Sequence, residues 1–485
     1  MLMLVPPTKA IAHTSFTILE LKINSKRIML GGIEKMKQVV EDLESNRWSE
    51  TLCIDGVGWS RNDRRRSIAV EQMKAFGTCT CSTKFMLHNA QVDDSVDHAV
   101  SSSLSKKDDL RSLTLCKLSN KDNQAYIVPE EAFHSTAMEC LILAHVSLDL
   151  ESCMGLSRMI RLSTSLKKMS LDSVEVDRAG WQLLMDFLTH SSSLRFLKLK
   201  RIKMDYVTTF DALKRNKSIT NLTLEDVGLS ALNAIELAAM IQQNQTVSHL
   251  SLQKNEINAQ AMEILSSQGF LYNSTLQRLY LSGNPLGDEG AIPAAQMLAG
   301  CHSLSKLCLA VTGMTSTGTG VIANALSGNR GLRSLSLDGN DVGDSCAETF
   351  LCSLQRNVTL QSITGHHNPR KESTKAKVWK EVDLLLRANK AGRSALKDTD
   401  SRIHHAPFLL ARATGRGDSD VLFHFLTHTM GILAADNATK TNDLKKEQTL
   451  EAPTKQHHTL HTEDASLKRL TTAPVDQRPV CPPSA

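Results

Sequence analysis

A chain of 485 residues with 41% hydrophobic side chains can build a large core, yet 4% aromatic content makes leucine the main buried residue and favours stacked aliphatic layers over an aromatic-rich sandwich. The 56 Lys and Arg against 51 Asp and Glu leave a net charge of +5, too mild to call for nucleic acid or a membrane as partner, and no apolar run reaches the ~18 residues that a bilayer span needs. Eleven cysteines, an odd number scattered from Cys53 to Cys481, suit reduced thiols and an intracellular chain, cytoplasmic in the first instance with the nucleus as the alternative.

The opening "MLMLVPPTKAIAHTSF" has too short an apolar stretch and no basic start for a secretory signal, while the absence of acid before Glu20 keeps an organellar transit peptide open. "IEKMKQVVEDLESN" reads as an amphipathic helix that covers the first repeat. "RNDRRR", Arg61 to Arg66, reads as a solvated loop, with anion binding or nuclear import as the alternative. Cys79 and Cys81 lack the second pair that a zinc site needs, so free thiols are expected. Residues 1–81 are taken together as an N-terminal segment and cap.

From residue 82 the chain repeats. Leu-x-x-Leu-x-Leu recurs at Leu276, Leu279 and Leu281, at Leu304, Leu307 and Leu309, and at Leu332, Leu335 and Leu337, a step of 28 residues. Backwards, the series runs through Val247, Ile219, Leu194, Leu166, Met138 and Leu110, with one short step of 25, to a degenerate unit at Phe85 and Leu87; Leu360 and Ile363 close it. About eleven units therefore fill residues 82–370. In each, alternation places every second side chain on one face of a short strand. The period then turns helical, as at Trp181, Leu184 and Leu188, at Ala234, Leu237 and Ile241, at Ala291, Ala294, Ala295 and Leu298, and at Ala347, Phe350, Leu351 and Leu354. Each strand and helix leaves an apolar face uncovered, so the units must stack, and because helices are wider than strands the stack must curve. The expected fold is an α/β solenoid, a horseshoe of strand-helix units with a parallel sheet on the concave face, helices on the convex face and a helical C-terminal cap.

"LSLQKNEI", "LYLSGNPL" and "LSLDGNDV" add an Asn after the strand, at Asn255, Asn284 and Asn340, with Asn368 in the same phase. The pattern resembles the ribonuclease-inhibitor-like class of leucine-rich repeats and covers some 60% of the chain. In that phase a side-chain amide can bond backbone groups of neighbouring turns. Thr312, Val227, Ile202, Val174, Val146 and Leu118 replace the Asn, which predicts a less regular N-terminal half.

Several motifs compete with the repeat. Asn216-Lys-Ser, Asn244-Gln-Thr, Asn273-Ser-Thr and Asn357-Val-Thr have the form of glycan acceptors, but all fall two or three residues before a repeat's first apolar position, which points to helix-exit chemistry with Asn in a left-handed turn. A fifth, Asn221-Leu-Thr, lies within a strand. Gly318-x-Gly320-x-x-Ala323, with Asp338 twenty residues on, makes most of a dinucleotide fingerprint. Its first Gly lies nine residues beyond Leu309, too far for a tight strand-to-helix turn, so no cofactor is expected. Arg416-Gly417-Asp418 reads as a turn rather than an adhesion motif, and the clusters at His366-His367, His404-His405 and His457-His458-x-x-His461 lack acid or thiol partners, so no metal is expected. No phosphate-cradling Walker loop or nucleophile elbow is present, so no catalytic residue is assigned.

Past Pro369, residues 371–435 read as a helical cap with Trp379, Leu384, Leu385, Leu386, Phe408, Leu409, Leu410, Leu422 and Phe425 as its core. This region resembles, more loosely, the ends of leucine-rich repeat proteins of microscopic algae. Residues 436–485 are polar and expected to be disordered.

Burial claims the leucines of each strand, so binding falls to the alternate positions. There, Lys168, Phe196, Lys198, Lys200, Glu225, His249, Arg278, Tyr280 and Lys306 gather bulk and positive charge near the middle of the sheet, while small residues dominate both ends. Aromatic and Arg anchors with basic neighbours are what a protein-binding hot spot prefers. The expectation is a non-enzymatic interaction scaffold whose concave face takes the acidic surface of a protein partner, with no nucleic acid or membrane involved. The alternative is a regulator of an enzyme, such as an inhibitor or a GTPase-activating protein of the leucine-rich repeat type. That family usually ends in an acidic tail, whereas residues 436–485 are mixed in charge.

Overall fold

In a computed structural model, residues 32–57, 63–365, 376–392 and 420–421 are described. The repeat periodicity becomes a twelve-stranded, all-parallel sheet in sequence order. Its strands are β1 (Thr51–Asp55), β2 (Lys84–Gln91), β3 (Ser112–Ser119), β4 (Cys140–Ala144), β6 (Lys168–Asp172), β8 (Phe196–Lys200), β9 (Asn221–Glu225), β10 (His249–Ser251), β11 (Arg278–Tyr280), β12 (Lys306–Cys308), β13 (Ser334–Ser336) and β14 (Ser362–Thr364). The remaining two, β5 (Ser147–Leu148) and β7 (Glu175–Val176), pair with each other apart from the sheet. Every repeat position from Leu110 to Ile363 quoted above is buried, and the helical faces at Trp181, Leu184, Leu188, Ala234, Leu237 and Ile241 close over them.

Successive helices pack side by side behind the sheet. Between β3 and β4 the helix is replaced by a single 3-10 turn, Glu130–Phe133. The step of 25 is absorbed by a shorter helix, Tyr206–Arg215, of 10 residues against 13 in the unit before it.

The N-terminal boundary differs from the expected one. Thr51–Asp55 pairs in parallel with Lys84–His88, and helix Asp63–Thr78 follows it, so the sheet starts one strand before Phe85. Leu52 and Ile54 are its buried positions, and they lie 33 residues before Phe85 and Leu87, outside the regular step. Capping falls to helix Gly32–Glu44, which packs on that helix. The run read as a loop at Arg61 to Arg66 is helical from Asp63, and Arg66 pairs with Asp63 and, at 3.0 Å, with Asp93.

Two side-chain ladders satisfy the turns. After the strands, Asn255 Oδ1 accepts from the Val227 and Leu229 N–H groups at 3.0 and 3.2 Å, while its Nδ2 donates to the Leu224 and Leu252 carbonyls. Asn284 and Asn340 repeat this, and the Thr312 hydroxyl donates to the Leu309 carbonyl at 2.8 Å. Earlier units fill the rung with buried Val227, Ile202, Val174, Val146 and Leu118. Asn368 lies outside the described residues.

At the helix exits, Asn216, Asn244, Asn273 and Asn357 form the second ladder. Asn244 donates to the Leu213 carbonyl at 2.7 Å and accepts from the N–H groups of Thr246 and Val247. These four are at most 6% exposed, so a glycan has no access. Their backbone is extended, φ −63° to −98°, rather than left-handed as the sequence suggested: the side chain does the capping and the backbone needs no unusual turn.

The C-terminal helix, Ala376–Ala391, seats Trp379 against Phe350 with ring centroids 5.8 Å apart. Val382, Leu385 and Leu386 are buried with it and Leu384 is half-buried. Of the second cap segment, Asp420 and Val421 are described; Phe408, Leu409, Leu410, Leu422, Phe425, the paired histidines, Arg416-Gly417-Asp418 and residues 436–485 lie outside the described residues. Among the described residues no helix is long and apolar enough to cross a membrane.

Candidate binding surface on the sheet

Strand register determines which side chains become neighbours. Lys168, Phe196, Asn221, His249, Arg278 and Lys306 stand in one row across the sheet, and Ser170, Lys198, Thr223, Ser251, Tyr280 and Cys308 in the next. Asp172, Lys200 and Glu225 share a third. Five strand spacings separate Lys168 from Lys306, about 24 Å. The nine residues singled out from the sequence thus occupy one continuous face, in two groups, the first on β6, β8 and β9 and the second on β10, β11 and β12.

The first group is built around Phe196, 48% exposed in an otherwise polar row. Lys200 Nζ lies 3.2 Å from Glu225 Oε1, and Lys254 reaches the same oxygen at 3.2 Å. Burial works against the Glu225 carboxylate, but hydrogen bonds from Lys254 and Lys200 outweigh it and hold the carboxyl below its ordinary range. Arg201 pairs with Asp172 at 2.7 Å. Lys200 and Glu225 therefore serve each other, and the free charge rests on their neighbours. Burial pushes the Lys198 ammonium below the usual lysine range, with Lys200 and Lys168 adding to that effect.

In the second group, Lys306 Nζ lies 5.2 Å from the Tyr280 ring centroid, a cation–π contact between neighbouring strands. Burial and the Arg278 cation depress the His249 imidazole, whose Nδ1 is 2.9 Å from Ser248 Oγ. Among the described residues Lys168, Lys198, Arg278 and Lys306 make no ion pair. Four cations without a direct ion pair among the described residues thus share the rows that carry Phe196 and Tyr280. Lys254, which follows Gln253 in the strand-end turn, was not singled out from the sequence; its role needs the register that sets it beside Glu225.

The dinucleotide-like motif meets its competitor here. Helix Ser316–Leu326 begins where a pyrophosphate would sit, but the Asp288 carboxylate from the preceding unit accepts from the Thr315 and Gly318 N–H groups at 2.7 and 3.0 Å. A Cβ at position 318 would collide with that carboxylate, which explains the glycine without a cofactor. Among the described residues no three His, Cys, Asp or Glu side chains are placed to hold a metal.

The family described as Leucine Rich repeat matches at residues 272–293. The chain is 25% identical over 293 residues to NACHT, LRR and PYD domains-containing protein 5 of Homo sapiens, a match covering 59% of this chain and 22% of that protein. It is 26% identical over 234 residues to the ribonuclease inhibitor of Sus scrofa, covering 47% of this chain and 51% of that protein. The chain thus spans about a fifth of the first relative and about half of the second. A solved structure, a chain of the yeast Rad7 and Elc1 complex, aligns at TM-score 0.38 and 13% identity over 78% of this chain and 100% of its own. Repeat phase, parallel sheet and Asn ladder make the chain a leucine-rich repeat solenoid, and the matches show it to be similar to the ribonuclease-inhibitor-like class.

Proposed function

We propose that the chain is a non-enzymatic, intracellular interaction scaffold that receives the acidic face of a protein partner between Lys168 and Lys306. One observation carries this reading: among the described residues Lys168, Lys198, Arg278 and Lys306 make no ion pair, and they share one sheet face with Phe196 and Tyr280. Strand-mounted side chains lose little freedom on binding, and the charge steers an acidic partner towards two aromatic anchors, the exposed Phe196 and the half-buried Tyr280. Lys200 and Glu225 support the patch from within. Resemblance to a protein whose name states that it inhibits ribonuclease favours inhibition of an enzyme as the second form of the same activity.

The test is quantitative capture from cell extract by the wild-type chain and by a Lys168→Glu, Phe196→Ala, Lys198→Glu, Tyr280→Ala variant that spares Lys200. Loss of a defined acidic protein from the folded variant, with binding in the wild type that weakens as salt rises, is the expected result. Equal capture by both would remove the concave face from consideration. A partner with catalytic activity would then be assayed with and without the chain, to separate an inhibitor from a passive scaffold.

A further inference from the structure

The helix-exit loops of neighbouring units are nearly uniform. Ser218, Thr246, Thr275, Ser303 and Thr359 follow the ladder position by two residues, and the hydroxyls of Thr246, Thr275 and Thr359 donate to the ladder Asn of their own loop while that of Ser218 donates to the Ser191 carbonyl of the loop before. Gly331 breaks this run. It follows Asn329 in the same phase but has no side chain, and a Cβ there would collide with the His302 carbonyl. Gly331 thus lets its loop sit directly on the preceding one, and beside this contact a groove of about 520 Å³ lies on the rim before β12, β13 and β14.

Arg330 and Arg333 flank that groove, with Gln277, His302 and Ser305 along its wall, and none of its nine lining residues is acidic. Arg330 Nη1 is anchored on the Ser327 and Asn329 carbonyls at 3.0 and 3.3 Å, which fixes the guanidinium and leaves its other N–H groups for a ligand. Arg333 is exposed and, among the described residues, its side chain has no hydrogen-bond or ion-pair partner. Gln277 and His302 likewise keep their side-chain nitrogens unspent.

We propose that this groove binds a phosphomonoester. Two guanidiniums bring two positive charges. A carboxylate would leave one unbalanced, whereas a phosphomonoester carries close to two negative charges and three acceptor oxygens. The planar forks of Arg pair with such oxygens two at a time. The groove is larger than a phosphate group, so part of the esterified molecule enters with it. The site lies on the rim, off the concave rows, and needs no protein partner, so it stands or falls separately from the scaffold reading.

The test is a calorimetric titration of the full chain with glycerol 2-phosphate, with a phosphoserine peptide and with acetate. Saturable binding of glycerol 2-phosphate is expected, weakened about tenfold or more in Arg330→Gln and in Arg333→Gln. Lys217→Gln is the control, because Lys217 holds Arg330's place in the loop four units earlier and is exposed. Similar affinity for both phosphate ligands identifies a free phosphoester as the source, and much tighter binding of the peptide identifies a phosphorylated protein. No saturable binding of either by ~10 mM, equal loss in Lys217→Gln, or acetate binding as tightly as phosphate would overturn the assignment.

Discussion

Asp288 caps a helix that is not its own. Its carboxylate accepts from the Gly318 N–H at 3.0 Å, from the Thr315 N–H at 2.7 Å and from the Thr315 hydroxyl at 2.6 Å, across a gap of 27 to 30 residues in sequence. A helix start has unsatisfied N–H groups and a partial positive charge; here the helix's own Thr315 hydroxyl takes the Thr317 N–H, and the carboxylate of the preceding unit takes the Gly318 N–H and supplies the negative charge. The bond ties consecutive units directly, in addition to the hydrophobic stack.

Asp288→Ala should therefore destabilise the array by about 1 kcal/mol, the usual cost of a lost N-terminal cap. Asp288→Asn should recover part of it, because one oxygen still accepts. The Thr315 hydroxyl, followed by the Thr315 and Gly318 N–H groups, holds the Asp288 carboxyl below its ordinary range. A depressed acid contributes stability above the unfolded carboxylate pKa and loses it as pH falls through the folded value. Denaturant midpoints of wild type and Asp288→Ala should accordingly differ near neutral pH and converge in acid; a constant difference would remove Asp288 ionisation from the account.

The helix-exit asparagines yield a second expectation. Asn357 donates to the Leu326 and Asn329 carbonyls at 2.8 and 2.9 Å and accepts from the Thr359 and Leu360 N–H groups at 2.9 Å. Asn357→Ala strands these groups in the dry interior and should cost roughly 2–3 kcal/mol in chemical denaturation, far more than a surface Asn→Ala change. The same burial predicts that the chain produced in a glycosylating cell shows no mass change at Asn216, Asn244, Asn273 or Asn357 after glycosidase treatment. A glycan on any of the four would mean that its rung opens.

How far the sequence reveals this depends on whether a residue's role is local. Leu-x-x-Leu-x-Leu reports burial directly, and the periodic leucines from Leu110 onward lie where alternation puts them. Leu52 and Ile54 escaped because the helix between them and Phe85 stretches the step to 33 residues. Asn389 could not be read at all: it sits inside the cap helix, out of phase, yet donates to the Leu360 carbonyl at 2.8 Å and extends the helix-exit ladder. The concave residues follow from alternation, but that Lys200 and Lys254 converge on Glu225 requires the register of separate strands. The rim groove was invisible for another reason, since its lining residues come from the loops of four separate units.

Val311 offers a stabilising change. It has φ +54°, in the left-handed region that a β-branched side chain adopts at a cost, and at 63% exposure it buries little in return. Gly283 and Gly339 hold the same turn one unit on either side at φ +74°. Val311→Gly should raise stability by about 0.5–1 kcal/mol, relief of strain exceeding the added freedom of the unfolded chain. Gly339→Ala should do the opposite, because a Cβ there would lie 2.8 Å from Val311 Cγ2 in addition to the unfavourable φ.

Lys198 and Lys200 project from the same strand and should respond oppositely to loss of charge. Lys200 is paired with Glu225 at 3.2 Å with both side chains largely covered, so Lys200→Met should cost roughly 1–2 kcal/mol by removing one of two donors from a buried carboxylate. Lys198 has no such partner, and burial disfavours its ammonium. Its folded pKa lies below the unfolded one, so the unfolded chain binds the proton more tightly; the penalty is complete below both values and fades as pH rises through the folded value towards the unfolded one. Lys198→Met should therefore leave the neutral-pH midpoint unchanged or raise it, and should abolish the rise on the alkaline side. If Lys198→Met instead destabilised the chain as much as Lys200→Met, the Lys198 charge would be structural, and its loss in a binding experiment would say nothing about a partner.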